Sequence, residues 1–331
     1  MSLSRRAFLA LGAAVSLLGL PAQGAQPIDA DPAVESRRQR LRVLLGRGVA
    51  TLSPDGGFLY DGRPYRGRFE RLPDGRVVSL VDLEEYLYGV IAQEMPADWP
   101  AAALQAQAIC ARTYVLQRSN PQRAYDLAPT QIDQVYGGVD AEAPTATAAV
   151  QATAGLVLRF GGDFAQVAYS SCCGGHTESA SAAWGGPPLP YLGGVVCPYC
   201  TASPDYRWQV ALPTRVIAQA FPTRMTGLGP LQEVLVAERD PSGRAVRLAL
   251  VGTQSQAFVS GDSFRARLGY DRMKSLLVLN TTQAPGMVNI EGGGLGHGVG
   301  LCQWGAYGLA LRDASASGIL AFYFPGTQIS V

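Results

Sequence analysis

The feature that most constrains the fold is a series of turn signals dividing residues 41–80 into short apolar stretches. The signals are Pro54-Asp55-Gly56-Gly57, Asp61-Gly62 and Pro73-Asp74-Gly75. Short apolar runs separated by such turns are typical of β-hairpins. Residues 82–85 then place acidic side chains in a first helical turn, and Pro96 ends the helix because the residue before a proline avoids helical geometry. The sequence therefore predicts hairpins followed at once by a helix.

The rest of the chain divides by composition. A second helix is expected from Pro100 to about Arg118, since proline is tolerated in a first turn. An alanine-rich helix is expected near 141–154. Residues 205–285 have strand-like runs around Asp240-Pro241-Ser242-Gly243 and predict a second α+β unit. The expected segments are a leader (1–24), a polar linker (25–40), a first lobe (41–204), the second unit (205–285) and a glycine-rich end followed by a helix (286–331).

Composition excludes several classes of protein. The chain has 331 residues, of which 47% are hydrophobic, so it can bury substantial cores and is not wholly disordered. Without Arg5 and Arg6 it has 25 basic against 26 acidic residues. Nucleic acid is therefore not expected as a partner. No apolar run beyond the N-terminus approaches the roughly 20 residues of a membrane-spanning helix.

The N-terminus has the layout of an export signal. Basic residues precede an apolar run from Ala7 to Leu20, and Ala22-Gln23-Gly24 offers a small-residue cleavage site. Residues 4–9, Ser-Arg-Arg-Ala-Phe-Leu, match the twin-arginine signature for export of folded proteins. An ordinary secretory signal with two chance arginines is the alternative. Both predict a protein that works outside the cytoplasm, in the periplasm or cell wall.

Four metal-ligating residues form two pairs, Cys173-Gly-Gly-His176 and Cys197-Pro-Tyr-Cys200. Two pairs with this spacing suit tetrahedral Zn²⁺ in a structural site, and Cys172 could replace Cys173. Disulfides are the competing interpretation in an oxidising compartment, and a redox-active Cys-x-x-Cys is a third. Cys110 and Cys302 are expected to be small buried hydrophobes.

Four sequence blocks resemble the SpoIID/LytB family of bacterial cell-wall proteins. They occur in the family's order and are EEYLYGVIAQEMPADWPAAALQAQAICARTYVL (84–116), QIDQVYGG (131–138), AYSSCCGGHTES (168–179) and GGGLGHGVGLCQWGAYGLA (292–310). The resemblance implies an α+β fold with two lobes of short mixed sheets and helices and a substrate cleft between them. It also implies a lytic transglycosylase acting on peptidoglycan, or an enhancer of a cell-wall amidase.

Glu94 matches the catalytic glutamate of the family's Glu-Met-Pro motif. Cleavage of a glycosidic bond needs a proton donor for the leaving oxygen. A lytic transglycosylase can use one carboxyl as acid and then base, because the muramic acid 6-hydroxyl attacks and yields a 1,6-anhydro product. Met95, Pro96 and Trp99 offer an apolar setting that would raise the pKa of this carboxyl.

Further substrate-binding residues are expected mainly from the resemblance. Arg112 could orient Glu94 or hold a substrate carboxyl or acetamido group, or it could simply bond backbone carbonyls. The other candidates are Tyr114, Gln134, Tyr136, Tyr169, His297, Gln303 and Trp304. Of these, Gln134, Tyr136 and Tyr169 could equally be packing residues, and His297 could equally be a structural hydrogen-bonding residue. The stretch 292–300 lacks the lysine and spacing of a phosphate-binding loop.

Three functional classes compete. The first is a lytic transglycosylase acting on glycan strands, which the resemblance implies are stripped of their stem peptides. The second is a noncatalytic peptidoglycan-binding module that stimulates an amidase. The third, a zinc-dependent hydrolase, needs an open metal coordination position that four protein ligands would close.

Overall fold

The computed structural model describes residues 40–54, 56–128 and 134–331. The expected leader, nearly all of the linker and the start of the 131–138 block lie outside the described residues. The strands are β1 (Arg40–Gly46), β2 (Ala50–Leu52), β3 (Phe58–Tyr60), β4 (Arg63–Tyr65), β5 (Arg68–Arg71), β6 (Val77–Asp82), β7 (Val157–Phe160), β8 (Asp163–Phe164), β9 (Tyr169–Ser170), β10 (Trp208–Pro213), β11 (Leu231–Arg239), β12 (Ala245–Gly252), β13 (Gln256–Ser260), β14 (Val278–Ala284), β15 (Met287–Gly292), β16 (Leu301–Cys302) and β17 (Gln328–Ser330).

The helices are α1 (Leu83–Glu94), α2 (Ala101–Arg118), α3 (Pro144–Ala152), α4 (Ala180–Trp184), α5 (Thr214–Ala220), α6 (Gly261–Leu268), α7 (Gln303–Ala310) and α8 (Ala316–Tyr323). Single 3₁₀ turns lie at Val139–Ala141, Pro190–Leu192 and Pro222–Arg224. Helices and several small sheets together confirm the α+β class. Within the described ranges, no helix has the length and apolar character needed to cross a membrane.

The described chain divides into two compact units. The first unit comprises residues 40–168, 310–321 and 326–331, and the second comprises 169–309 and 322–325. Residues 169–204 therefore group with the segment that follows them, whereas the sequence placed a lobe boundary after 204. The difference arises because β9 pairs in parallel with β16, from the far end of the chain.

In the first unit, three small antiparallel sheets surround α1 and α2. Their strand orders are β1-β6-β5, β2-β3-β4 and β17-β7-β8. Asp82 caps α1, because its side chain accepts the backbone N–H of Glu84 at 2.9 Å. Helix α2 is rich in alanine and buried along most of its length, which is typical of a core helix. Both helices thus confirm the predicted elements.

In the second unit, the sheets β10-β15-β14 and β11-β12-β13 enclose one apolar core with α5 and α6. The core includes Trp208, Leu212, Val234, Leu248 and Phe264. The indole Nε1 of Trp208 donates to the carbonyl of Gly294 at 2.9 Å, which attaches the glycine-rich stretch to β10. A Cβ at Gly292 would lie 2.1 Å from the Trp208 ring, so only glycine fits there.

Candidate functional site

Glu94 is the last residue of α1, and its side chain is half-buried. The helix ends here because Pro96 follows, and Met95 turns its side chain into the core. One carboxylate oxygen, Oε1, accepts the backbone N–H of Val135 at 3.5 Å. The carboxyl group is therefore held at the end of a packed helix by a segment distant in sequence. Its acid–base role stays a prediction.

Gln134 is fully buried and anchors this segment to α2. Its Nε2 donates to the carbonyl of Ala111 at 3.2 Å, while its Oε1 has no hydrogen-bond partner among the described residues. Gln134 thus supports the adjacent Val135, whose backbone N–H contacts Glu94. Its burial leaves no exposed amide for the sugar contact expected from the sequence.

Tyr136 lies in an aromatic core instead of on a sugar-binding surface. Its ring centroid is 4.8 Å from that of Tyr86 and 5.4 Å from that of Tyr65. Burial raises the pKa of its phenol. The substrate role expected for Tyr136 is corrected on this ground, because its ring is enclosed by other tyrosines.

Arg112 does not orient Glu94. The guanidinium is fully buried, and its Nε and Nη2 donate to the two oxygens of Glu84 at 2.7 and 2.6 Å. It also donates to the backbone carbonyls of Leu156 and Val150. These contacts correct the expected substrate role, because they direct the guanidinium to another carboxylate and to backbone within the core.

Tyr114, one helical turn before the end of α2, packs against Arg118. The guanidinium carbon of Arg118 lies 4.4 Å from the tyrosine ring centroid, which is a cation–π contact. The tyrosine is half-buried. It therefore supports a cationic side chain at the helix end.

The second unit holds a cluster of four buried thiols. The Sγ atoms of Cys173, Cys197, Cys200 and Cys302 all lie within 4.8 Å of one another. Those of Cys173 and Cys200 are 3.6 Å apart. The sulfur atoms of a tetrahedral zinc site with Zn–S bonds near 2.3 Å are about 3.8 Å apart. All six cysteines are buried and lie among the described residues as free thiols.

The cluster corrects two expectations. His176 is not part of it: the imidazole Nδ1 instead lies 2.6 Å from the carbonyl oxygen of Thr177. Cys302 was expected to be a small buried hydrophobic residue, but it supplies the fourth thiol. The parallel pairing of β16 with β9 brings it to the Cys173 segment. Cys172 is also buried nearby, with its Sγ 3.9 Å from the carbonyl of Cys200, but lies outside the four-thiol set.

Burial and hydrogen bonding act in opposite directions on the thiols of the cluster. The backbone N–H of Cys173 donates to Sγ of Cys302 at 3.2 Å, and the Tyr323 hydroxyl lies 3.1 Å from Sγ of Cys197. Burial raises the pKa of the Cys302 thiol, whereas hydrogen bonding with Cys173 lowers the pKa of the Cys197 thiol. Such contacts stabilise the thiolate form that a metal ion requires.

A buried polar network that the sequence did not suggest holds the loop carrying Cys173. Arg244 donates to the carbonyls of Cys173 and His176, at 2.9 and 3.1 Å. Its partner Ser242 donates to Glu178 at 2.7 Å, and burial raises the pKa of Glu178 to about 7. The only signal was the turn at 240–243, which the sequence places among the strand-like runs of the second α+β unit.

The glycine-rich stretch places His297 beside Trp184, with ring centroids 5.1 Å apart. The imidazole Nδ1 accepts the backbone N–H of Val299 at 2.9 Å, and burial lowers the pKa of His297 to about 3. The ring is thus neutral at physiological pH. Trp184, which the sequence analysis did not single out, is half-buried beside it.

The remaining candidates of this unit surround the β9–β16 pairing. Gln303 is buried at the start of α7, and the backbone N–H of Trp304 donates to the carbonyl of Ser171 at 3.0 Å. The Trp304 ring packs edge-on against Tyr307 at 5.5 Å. Tyr169 is half-buried opposite Leu301. The structure therefore brings Tyr169, Gln303 and Trp304 together in one unit, while Glu94 belongs to the other.

Sequence comparisons agree with this organisation. The profile of a family described as "Stage II sporulation protein" matches residues 74–160, and that of a domain of unknown function matches 200–300. An uncharacterised protein of Brachyspira hyodysenteriae is 32% identical over 82% of this chain and 74% of its own length.

Two relatives from Bacillus subtilis have functional names. "Stage II sporulation protein D" is 28% identical over 76% of both chains. "Amidase enhancer" is 29% identical over 74% of this chain, which spans only 40% of that protein's length. Together with the family profile, these similarities confirm the resemblance seen in the sequence: the chain belongs to the SpoIID/LytB family.

Proposed function

We propose that this protein is an exported lytic transglycosylase that cleaves the glycan strands of peptidoglycan. The observation that carries the proposal is the placement of Glu94, which ends a packed helix within the family-matched segment and accepts the Val135 N–H. Acid–base cleavage of a glycosidic bond requires at least one carboxyl group positioned to donate a proton.

In the proposed reaction, the protonated carboxyl of Glu94 gives its proton to the glycosidic oxygen as the bond to C1 of the muramic acid breaks. The carboxylate then accepts the proton of the 6-hydroxyl on the same sugar, whose oxygen forms the new bond to C1. The product is a 1,6-anhydro sugar and no water is consumed. The Val135 N–H, whose contact with Oε1 is long at 3.5 Å, would favour one orientation of the carboxyl group.

The test uses glycan strands from which an amidase has removed the stem peptides. We expect the full chain to release fragments with 1,6-anhydro-muramic acid ends, and Glu94→Gln to release none. Glu85→Gln is the matched control, because Glu85 lies on the same helix and makes only a half-exposed contact with Arg66 at 3.8 Å. Cleavage by Glu94→Gln at the rate of the unsubstituted chain would overturn the proposal.

A second candidate is a noncatalytic enhancer of a cell-wall amidase, which the name of the Bacillus subtilis relative favours. In this case the chain would bind peptidoglycan and increase release of stem peptides by an added amidase without cutting the glycan. Stimulation that Glu94→Gln retains in full, with no anhydro product from either form, would favour this candidate.

We also propose that the four thiols hold a structural Zn²⁺. Support comes from four buried Sγ atoms within 4.8 Å and from N–H donation to one of them. Bound zinc would supply a cross-link between three segments of the second unit. Four thiolate ligands leave no open position for an activated water, so the proposed chemistry stays with Glu94.

Export by the twin-arginine route to the periplasm or cell wall completes the proposal. It rests on the sequence of residues 1–24, with support from the relatives named "Stage II sporulation protein D" and "Amidase enhancer". Replacement of both Arg5 and Arg6 by lysine should retain the protein in the cytoplasm if this route is used. An ordinary secretory signal would still export it.

A further inference from the structure

The loop from Cys173 to His176, which carries one of the four clustered thiols, is held by two arginines from distant parts of the second unit. Arg207 directly precedes β10, and Arg244 directly precedes β12. We infer that these two arginines hold the loop in the conformation in which Cys173 binds the metal, so that the loop need not fold around the ion. This inference rests on the zinc site proposed above and names the residues that position one of its ligands.

The arginines bind three of the four backbone carbonyls of this loop. Arg244 donates to the carbonyls of Cys173 and His176, at 2.9 and 3.1 Å. Arg207 Nη1 donates to the carbonyl of Gly174 at 2.9 Å. All three hydrogen bonds end on backbone oxygen atoms, so they restrain the loop while leaving the sulfur of Cys173 to the metal.

The fourth carbonyl joins the loop to the segment that carries two further thiols. The backbone N–H of Cys197 donates to the carbonyl of Gly175 at 2.9 Å. The Sγ atoms of Cys173 and Cys200 lie 3.6 Å apart across this junction. Backbone hydrogen bonds that need no metal ion therefore support the spacing of ligands from two segments.

The conformation of the loop is one that a free chain would seldom keep. Gly174 has a φ of +75°, and a Cβ at this position would lie 2.8 Å from the carbonyl carbon of Gly293. Glycine loses more conformational entropy than any other residue when its backbone is fixed. A hydrogen bond from Arg207 to the carbonyl of this glycine therefore restrains the loop where it is most free to change.

Both guanidinium groups are themselves restrained. Arg244 is 3% exposed, its Nη1 donates to Ser242 Oγ at 2.9 Å, and the same atom lies 3.8 Å from Glu178. Arg207 is exposed, but its guanidinium carbon lies 3.9 Å from the centroid of the Tyr206 ring. Donors that are already ordered lose little conformational entropy when they hold a ligand-bearing loop.

The arginines also bring positive charge to a part of the unit that the metal site would make negative. A zinc ion with four thiolate ligands has a net negative charge, because the thiolates outnumber its positive charges. Burial of net charge is costly unless opposite charge lies nearby. Arg244 is buried against the backbone of Cys173, so it supplies such a charge within the core.

The first test measures the zinc affinity of the full chain by competition with a chelator of known affinity. Loss of a group that supports a metal ligand typically weakens binding roughly 10–100-fold, so we expect Arg207→Gln to weaken it about tenfold. Arg267→Gln is the matched control and should keep the affinity. Arg267 is also exposed, donates to the carbonyl of Ala220 at 2.9 Å and lies 5.4 Å from the Phe221 ring centroid.

Arg244→Lys tests the buried arginine in the same way and should weaken zinc binding about tenfold or more. Its control is Arg265→Lys, because Arg265 is 5% exposed and donates to the carbonyls of Met273 and Lys274 at 2.9 and 2.7 Å. Thermal unfolding measures the stability of all four variants. Unchanged zinc affinity in folded Arg207→Gln, or equal losses of affinity in the variants and their controls, would overturn the inference.

A second readout does not depend on the metal. Iodoacetamide is added with excess chelator, and peptide mass spectrometry follows alkylation of Cys173, with Cys110 of the other unit as the internal reference. Arg207→Gln should react about fivefold faster at Cys173 than the unsubstituted chain, because one fewer hydrogen bond opposes local opening, whereas Arg267→Gln should not. Equal rates in Arg207→Gln and the unsubstituted chain would overturn the inference. This difference in rate, found in a chain that binds no zinc, would overturn only the zinc proposal.

Discussion

Arg112 and Glu84 form a bidentate ion pair that joins α2 to the first turn of α1. The two hydrogen bonds measure 2.7 and 2.6 Å, and Arg112 is 0% exposed. Glu84 also accepts the backbone N–H of Gly155 at 3.2 Å. The pair thus fixes the helix that ends at Glu94, from its opposite end.

Removal of the arginine should destabilise the first unit. We expect Arg112→Ala to lower the free energy of unfolding by about 3 kcal/mol or more, because it leaves buried carbonyls and Glu84 without their donor. Arg112→Lys should recover little of this loss, because an ammonium cannot make the bidentate contact.

Chemical denaturation measures these changes. Arg66→Ala is the matched control: its pair with Glu142 is also bidentate but partly exposed, and its loss should cost about 1 kcal/mol or less. A stable Arg112→Ala protein whose only defect is a raised KM would instead assign Arg112 to the substrate.

Metal content distinguishes the two possible fourth ligands. We expect Cys302→Ser to lose most bound zinc, because it removes one of four clustered thiols. His176→Ala should keep one zinc ion per chain, since the imidazole faces a backbone carbonyl. Elemental analysis of purified protein measures both.

Cys110→Ser is the control for loss of a buried thiol, as Cys110 lies in α2 of the other unit. If His176→Ala lost its zinc while Cys302→Ser kept it, His176 would be the fourth ligand, as the sequence predicted. Folded protein with free thiols and no metal would remove the zinc proposal.

The neutral state of His297 predicts a pH dependence of stability. Burial lowers its pKa to about 3, so below pH 6.5 the unfolded chain binds a proton that the folded protein excludes. Stability present above pH 6.5 is therefore lost as the pH falls toward 3. Between pH 6.5 and 5 the contribution is about 1–2 kcal/mol.

His297→Asn should reduce this pH dependence, because asparagine does not titrate and can still accept a hydrogen bond. The measurement is the free energy of unfolding at pH 6.5 and pH 5 for both proteins. An equal loss in both would show that His297 does not contribute.

Gln134 should act on catalysis more than on stability. Gln134→Leu removes the hydrogen bond that Nε2 donates to Ala111, but it also removes an acceptor, Oε1, that has no partner in the described part of the chain. We therefore expect stability to change by about 1 kcal/mol or less. Because the side chain holds the segment that presents Val135 to Glu94, kcat should fall while KM stays similar. A raised KM with kcat unchanged would indicate direct substrate binding instead.

Local pattern in the sequence predicted the elements around Glu94. Asp82 and Pro96 define the two ends of α1 through capping and through the geometry before proline, and both ends lie where expected. Capping and the restriction before proline act over a few residues, so neighbouring residues in the sequence are enough to predict both helix ends. The second helix is predicted for the same reason.

Contacts between distant segments were not predictable in this way. Cys302 was predicted to be a small buried hydrophobic residue because no other cysteine or histidine lies at metal-binding spacing from it in the sequence. Only the parallel β9–β16 pairing brings it to Cys173. The partner of Arg112 was equally hidden, since Glu84 lies 28 residues away with many other carboxyl groups available. Tyr136 matched a family motif, but only the fold shows two further tyrosines around it.

The most direct test of the account is digestion of peptide-stripped glycan strands in ¹⁸O-labelled water, with mass spectrometry of the products. If Glu94 transfers the proton of the sugar's own 6-hydroxyl, the new ends are 1,6-anhydro-muramic acid without label, and Glu94→Gln forms none. Labelled reducing ends, or unlabelled anhydro ends formed equally by Glu94→Gln, would contradict it.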